Sequence, residues 1–61
     1  PNEKAAAYRT KNARLASVTA EFKAWLAARP EKNEANMKTF KSLSEEISAL
    51  EKELSALLDS K

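Results

Sequence analysis

Residues 37–58 read MKTFKSLSEEISALEKELSALL, and the spacing of the apolar side chains in this stretch decides the fold. The large apolar residues follow one another in steps of three and four: Met37, Phe40, Leu43, Ile47, Leu50, Leu54 and Leu57. These steps place heptad position a at 40, 47 and 54 and position d at 43, 50 and 57, which is coiled-coil spacing. The stretch therefore predicts an amphipathic helix that packs along another helix.

The first half of the chain carries a matching stripe of large apolar residues: Tyr8, Leu15, Val18, Phe22 and Trp25. Position a then falls at 8, 15 and 22, and position d at 11, 18 and 25, where Lys11 is the polar exception. The surrounding residues are strong helix formers, chiefly Ala, Leu, Lys, Arg and Glu. A second long helix is therefore predicted here.

One internal proline separates the two stripes. Pro30 lacks a backbone N–H and disfavours helical geometry at the preceding residue. Asn2 and Asn33 are suitable N-cap residues, and the alternative is that Pro30 and Glu31 start the second helix one turn earlier. We predict a single domain over residues 1–61, with one helix over about 3–28, a break over about 29–32 and a second helix over about 33–59.

The two stripes are also complementary if the chain reverses direction at the break. Residues that face each other then have numbers that sum to about 62, so that Phe22 meets Phe40 and Trp25 meets Met37. The same register brings Lys11 near Glu51. The predicted fold class is all-α: an antiparallel two-helix hairpin with coiled-coil packing through the twelve stripe residues, Tyr8, Leu15, Val18, Phe22, Trp25, Met37, Phe40, Leu43, Ile47, Leu50, Leu54 and Leu57.

Composition argues against an enzyme. The chain contains no Gly, no Cys and no His, so the commonest general base, thiolate chemistry and a Gly-rich phosphate loop are all missing. The glutamates of the second helix lie on its polar face without any histidine beside them. We therefore expect no catalytic residues, no cofactor and no metal.

The sequence also bears on location. It contains no run of 18 apolar residues and no secretory signal, so we expect no membrane span and a cytoplasmic protein. Because the chain begins with Pro1 rather than Met, we expect a processed product or an excised part of a longer protein.

A hairpin of this size has a small core. Fourteen large apolar residues in 61 contribute less burial than a stable monomer needs, and no disulfide or metal compensates. We therefore expect the chain to bind a second copy, with a dimer as the simplest closed form, or to join a larger protein assembly. The possible oligomer face consists of a seven-residue alanine repeat and two leucines that flank the main stripe: Ala6, Ala13, Ala20, Ala27, Leu26 and Leu58. The alternative is that these alanines simply fill an exposed helix.

Basic residues cluster in the first helix, namely Lys4, Arg9, Lys11 and Arg14. This face could bind nucleic acid, and such a regulatory or interaction module is the alternative function. A solvated face that pairs with the acidic second helix explains the same residues. We favour this second interpretation, because the net charge is only +2.

Residues 34–58, EANMKTFKSLSEEISALEKELSALL, follow RLASVTAEFKAWLAARPEK at 14–32. Together they resemble the N-terminal scaffolding region, or delta domain, of tailed-phage major capsid proteins. The resemblance rests on the pattern formed by Phe40, Leu43, Glu46, Ile47, Leu50 and Glu51. It implies a transient role in which the hairpin guides capsid subunits together inside the immature phage head and is later removed by a protease. The phage-infected host cell would then be its location.

Overall fold

A computed structural model describes residues 2–59 as two α-helices joined by a short turn. Helix α1 spans Glu3–Ala27 and helix α2 spans Glu34–Asp59. The predicted all-α helical hairpin is confirmed. Pro1, on which the expectation of processing rests, lies outside the described residues, as do Ser60 and Lys61.

Both helices begin at the asparagines that the sequence indicates. The Asn2 side chain accepts a hydrogen bond from the Ala5 N–H at 3.1 Å, and the Asn33 side chain accepts one from the Asn36 N–H at 2.8 Å. Each bond satisfies a backbone donor that has no partner within its helix. The two N-cap predictions are confirmed.

The turn contains a strained residue at the end of α1. Arg29 has φ of 52°, in the left-handed region that glycine normally occupies at a helix C-terminus. Its N–H donates to the Leu26 carbonyl at 3.0 Å, which reverses the chain after the last helical turn. Pro30 then prevents the helix from continuing. A chain without glycine thus makes a glycine-type helix end with arginine.

The helices run antiparallel in a register close to the predicted one. The Phe22 and Phe40 rings lie 5.3 Å apart in an edge-to-face arrangement, as the facing-residue rule requires. Lys11, however, pairs with Glu53 rather than with the predicted Glu51. Both glutamates lie near the level of Lys11, but Glu53 shares its side of the hairpin, whereas Glu51 lies on the other side.

The core lies near the middle of the hairpin. Among residues 2–59, Val18 is fully buried, and Leu50 and Leu54 are nearly so. Seven other stripe residues are half-buried: Tyr8, Leu15, Phe22, Trp25, Leu43, Ile47 and Leu57. The prediction that all stripe residues pack between the helices needs correction for Met37, which is 67% exposed. Phe40 is 49% exposed, but its ring still packs against Phe22 of α1.

The position of Met37 in the heptad explains its exposure. It precedes the a residue Phe40 by three, and it therefore occupies position e, at the edge of the contact rather than in its centre. Phe40 lies in the second turn of α2, where the helices have only begun to pack. The core thus ends before the apolar stripe does.

Candidate interaction surface

The heptad pattern gives the hairpin two different edges. With 100° between successive residues, position e lies beside a, and position g lies beside d. In an antiparallel pair the a and e positions of both helices share one edge, and the d and g positions share the other. We call the d/g edge, with its ion pairs, the charged edge. We call the a/e edge the apolar edge, because it carries Tyr8, Phe22, Leu26, Met37, Phe40 and Leu58.

The charged edge is closed by two ion pairs between the helices. The Lys11 Nζ lies 2.9 Å from the Glu53 Oε2. The Arg14 Nη2 lies 2.8 Å from the Glu46 Oε2, and its Nε donates to the same oxygen at 2.9 Å. All four side chains remain more than one-third exposed, so each pair stabilises the hairpin by less than about 1 kcal/mol. These pairs set the register and cover the flank of the core.

The apolar edge has no comparable cover at its turn end. The Phe22 ring stacks with Trp25 at 6.4 Å between centroids and meets Phe40 edge-on. Beyond these rings, Leu26 is 43% exposed and Met37 extends farther into solvent. Large apolar surface that is rimmed by polar residues marks an interaction site more often than isolated exposed leucines do.

A groove of about 250 Å³ runs through this turn-end cluster. Its walls are mostly apolar, and the residues that line it are Trp25, Leu26, Pro30, Glu31, Lys32, Asn36, Met37 and Phe40. The turn holds the groove open on one side, because the Asn36 side chain donates to the Glu31 carbonyl at 2.7 Å. The groove is therefore shaped by the turn and by both helices together.

A second groove of about 380 Å³ lies at the open end of the hairpin, where the two chain ends meet. It is lined by Asn2, Lys4, Ala5, Tyr8, Arg9, Leu57 and Leu58. Leu58 is 69% exposed and occupies position e, as Met37 and Leu26 do. Because Leu58 follows Met37 by three heptads, both grooves open on the apolar edge, about 31 Å apart.

The residues of the predicted oligomer face occupy two heptad positions. Its alanines, Ala6, Ala13, Ala20 and Ala27, are all exposed and occupy position f, on the outer side of α1. Leu26 and Leu58 are exposed as well and occupy position e, where each lines a groove on the apolar edge. Association through either set of residues stays a prediction.

The basic residues of α1 are partly engaged within the hairpin. Lys11 and Arg14 form the two ion pairs of the charged edge, while Lys4 and Arg9 line the open-end groove. A nucleic-acid face would need these charges to point together toward a phosphate backbone. Nucleic-acid binding stays a prediction, and the two glutamate partners reduce the charge that it could use.

Sequence reasoning missed the prominence of Met37 and Phe40. The available signal was that Met37 breaks the a/d alternation and lies next to the turn, where a two-helix contact must end.

Within residues 2–59, no three Asp, Glu, His or Cys residues come together as metal ligands would. Neither described helix has an apolar segment long enough to cross a membrane.

Comparison with known proteins gives no guide to the role of these grooves. No family model matches the chain, and neither a curated protein nor a solved structure is significantly similar to it. The function must therefore be inferred from the surface itself.

Proposed function

We propose that this hairpin is a structural interaction module that works by self-association. The observation that carries the proposal is the area that the isolated hairpin leaves in contact with solvent. The chain exposes 4937 Å², whereas a compact monomer of 6.8 kDa exposes about 3,950 Å². The excess is about 1,000 Å². The large apolar side chains exposed in the single chain, Leu26, Met37, Phe40 and Leu58, all belong to the apolar edge.

The size of that excess matches what a protein interface requires. A standard interface covers about 800 Å² on each partner. The hairpin could bury that much and still keep a polar surface, because the charged edge would remain in water. The small core gives a reason for association, since three buried side chains contribute little against the entropy of ordering two long helices.

Sedimentation equilibrium and thermal melting of the chain test this proposal. We expect a dimer mass at micromolar concentration and a melting temperature that falls by roughly 10 °C over a hundredfold dilution. The fall follows from mass action, because dilution removes the partner that stabilises the folded form. A monomer mass and a melting curve that does not change with concentration would overturn the proposal.

The resemblance to capsid scaffolding domains suggests where such association would be used. We propose that the hairpin guides the assembly of a larger protein shell, in which many copies lie close together. In support, two residues of the shared pattern take part in the contact between the helices: Leu50 is buried, and Glu46 forms an interhelical ion pair. Because many copies lie close together in such a shell, many weak dimer contacts add up to a strong overall association.

The assembly role has its own test. The reading frame that encodes the chain should continue into, or adjoin, a shell-forming protein. Deleting residues 1–61 should then leave that protein soluble but unable to form shells of uniform size, as seen by electron microscopy. Normal shells after the deletion would contradict the assembly role and leave self-association untouched.

A further inference from the structure

We infer that the apolar edge of one hairpin packs against the same edge of a second copy, with the two turns at the same end. The result is a four-helix bundle whose two-fold axis runs along the helices. This inference rests on the proposed self-association and adds the surface and the orientation. It commits to a second copy as the occupant of both grooves.

The position of the grooves favours a second hairpin over a short peptide. The two grooves open at opposite ends of one edge, and the hairpin is 46 Å long. An occupant that fills both must be long and straight and must present apolar side chains near both ends, as this hairpin does. The exposed excess of about 1,000 Å² is also close to the area that one partner contributes to a dimer.

The apolar side chains complement one another when the turns are placed together. Rotation about an axis along the bundle lays α1 of one copy over α2 of the other. Leu26 then faces the partner's Met37, and Met37 faces the partner's Leu26, because both lie at position e and at the same height. At the open end, Leu58 faces the small side chain of the partner's Ala5. The exposed cluster at the turn end of one hairpin therefore packs against the same cluster of the second copy, as interface anchors commonly do.

The middle of the edge permits close approach. Between the two grooves, position e carries Asn12, Thr19, Ser44 and Glu51, none of which is a large apolar residue. Thr19 and Ser44 are already half-buried and short, so they allow the two hairpins to lie near each other. Asn12 and Glu51 are exposed and polar, and they would face each other across the contact. Apolar anchors at the ends and small or polar residues between them define the interface.

Helix charge selects this orientation over the opposite one. Helix α1 contains five Lys or Arg and two Glu, for a net charge of +3, and α2 contains three Lys and six acidic residues, for −3. With the turns together, every helix has oppositely charged neighbours. With the turns at opposite ends, α1 lies against the partner's α1 and α2 against the partner's α2. Packed helices are about 8–10 Å apart, within a Debye length at 0.1 M salt, so this difference persists in solution.

A distance measurement between two turns tests the orientation. The chain has no cysteine, so Lys32→Cys introduces a single site for a spin label at the tip of the hairpin. We expect a label separation below about 25 Å in the dimer, since the tips lie side by side. A separation near the 46 Å length of the hairpin would overturn the proposed orientation. Sedimentation of the labelled chain gives the dimer fraction, so a failure of association is distinguished from a wrong orientation.

A matched pair of variants tests the surface. Met37→Gln and Leu26→Gln keep helix propensity and side-chain size but place a polar group in the contact. Because each substitution acts twice in a dimer, we expect the dissociation constant to rise about a hundredfold or more. Ala20→Gln on the outer face of α1 is the control and should change it less than about threefold. Dimers that tolerate Met37→Gln but are lost with Ala20→Gln would place the interface on the alanine stripe and overturn the inference.

Discussion

The two edges of the hairpin are built on the same heptad repeat, yet they meet solvent differently. On the charged edge, Lys11 and Arg14 cross to glutamates of α2 and cover the flank of the core. On the apolar edge, Met37 and Leu58 are more than two-thirds exposed, and Phe40 is about half exposed despite its contact with Phe22. One edge is complete within the monomer, whereas the other has the composition of half an interface.

This difference shows that the two edges of a short hairpin can have different roles. One edge stabilises the orientation of the helices, and the other offers surface to a partner. The ion pairs fix orientation and register at little net energy, because their partners remain hydrated. On the apolar edge, apolar surface stays exposed, and the burial of such surface contributes most to the free energies of folding and binding. We therefore expect the apolar edge, whose side chains are not fully buried in the monomer, to carry the function.

The largest effect is expected from a substitution in the seam, the row of buried side chains between the helices that both edges flank. Leu50→Ala deletes a nearly buried side chain at the centre of α2. We expect a loss of about 2–4 kcal/mol in the free energy of unfolding, measured by urea denaturation at one fixed protein concentration. Ser48→Ala, at an exposed site two residues away on the outer side of α2, should cost nothing measurable. Equal effects from the two variants would show that the seam does not hold the hairpin together.

A smaller effect is expected from the aromatic cluster of the apolar edge. Phe22→Ala removes the ring that contacts both Trp25 and Phe40. Because Phe22 is half-buried, we expect destabilisation by about 2 kcal/mol rather than the full value of a closed core site. Phe22→Leu keeps much of the apolar area and should recover most of the loss. If Phe22→Ala has no effect on the urea midpoint, the turn-end cluster contributes nothing to the fold.

The turn that ends the apolar edge contains a strained residue, Arg29, and this strain can be relieved by substitution. Arg29→Gly places the residue that prefers positive φ at the only described position where φ is positive. We expect stabilisation by about 0.5–1 kcal/mol, the relief of left-handed strain less the added freedom of glycine in the unfolded chain. Arg29→Ala removes the same charge but keeps the Cβ atom, so its melting temperature should not rise. A gain shared by both variants would trace the effect to charge instead.

The weakest effect should come from the charged edge. A double-mutant cycle with Arg14→Gln and Glu46→Gln isolates the coupling energy of that pair. We expect about 0.5 kcal/mol at low salt and less at 1 M NaCl, because both side chains are largely solvated. A coupling above about 2 kcal/mol would mean that the charged edge stabilises the hairpin as strongly as its core does.

Much of the fold can be derived from particular residues. Asn2, Asn33 and Pro30 mark the helix ends through local hydrogen bonding and backbone restriction, which act regardless of tertiary context. The Phe22–Phe40 contact follows from chain reversal alone. The exposure of Leu26 and Leu58 agrees with their prediction as surface residues, whereas the exposure of Met37 is not evident from the apolar stripe. The stripe shows periodicity but not where the contact between two helices ends.

Local helix propensity and the spacing of apolar residues are enough to predict that two long helices form, where they begin and that their apolar stripes match in an antiparallel register. Three features follow only from the packing of the helices: the pairing of Lys11 with Glu53, the exposure of Met37 and Phe40, and the position of both grooves on one edge. Such features depend on how two cylinders contact each other, because two helices share one seam and the outer parts of each stripe remain uncovered until another surface meets them.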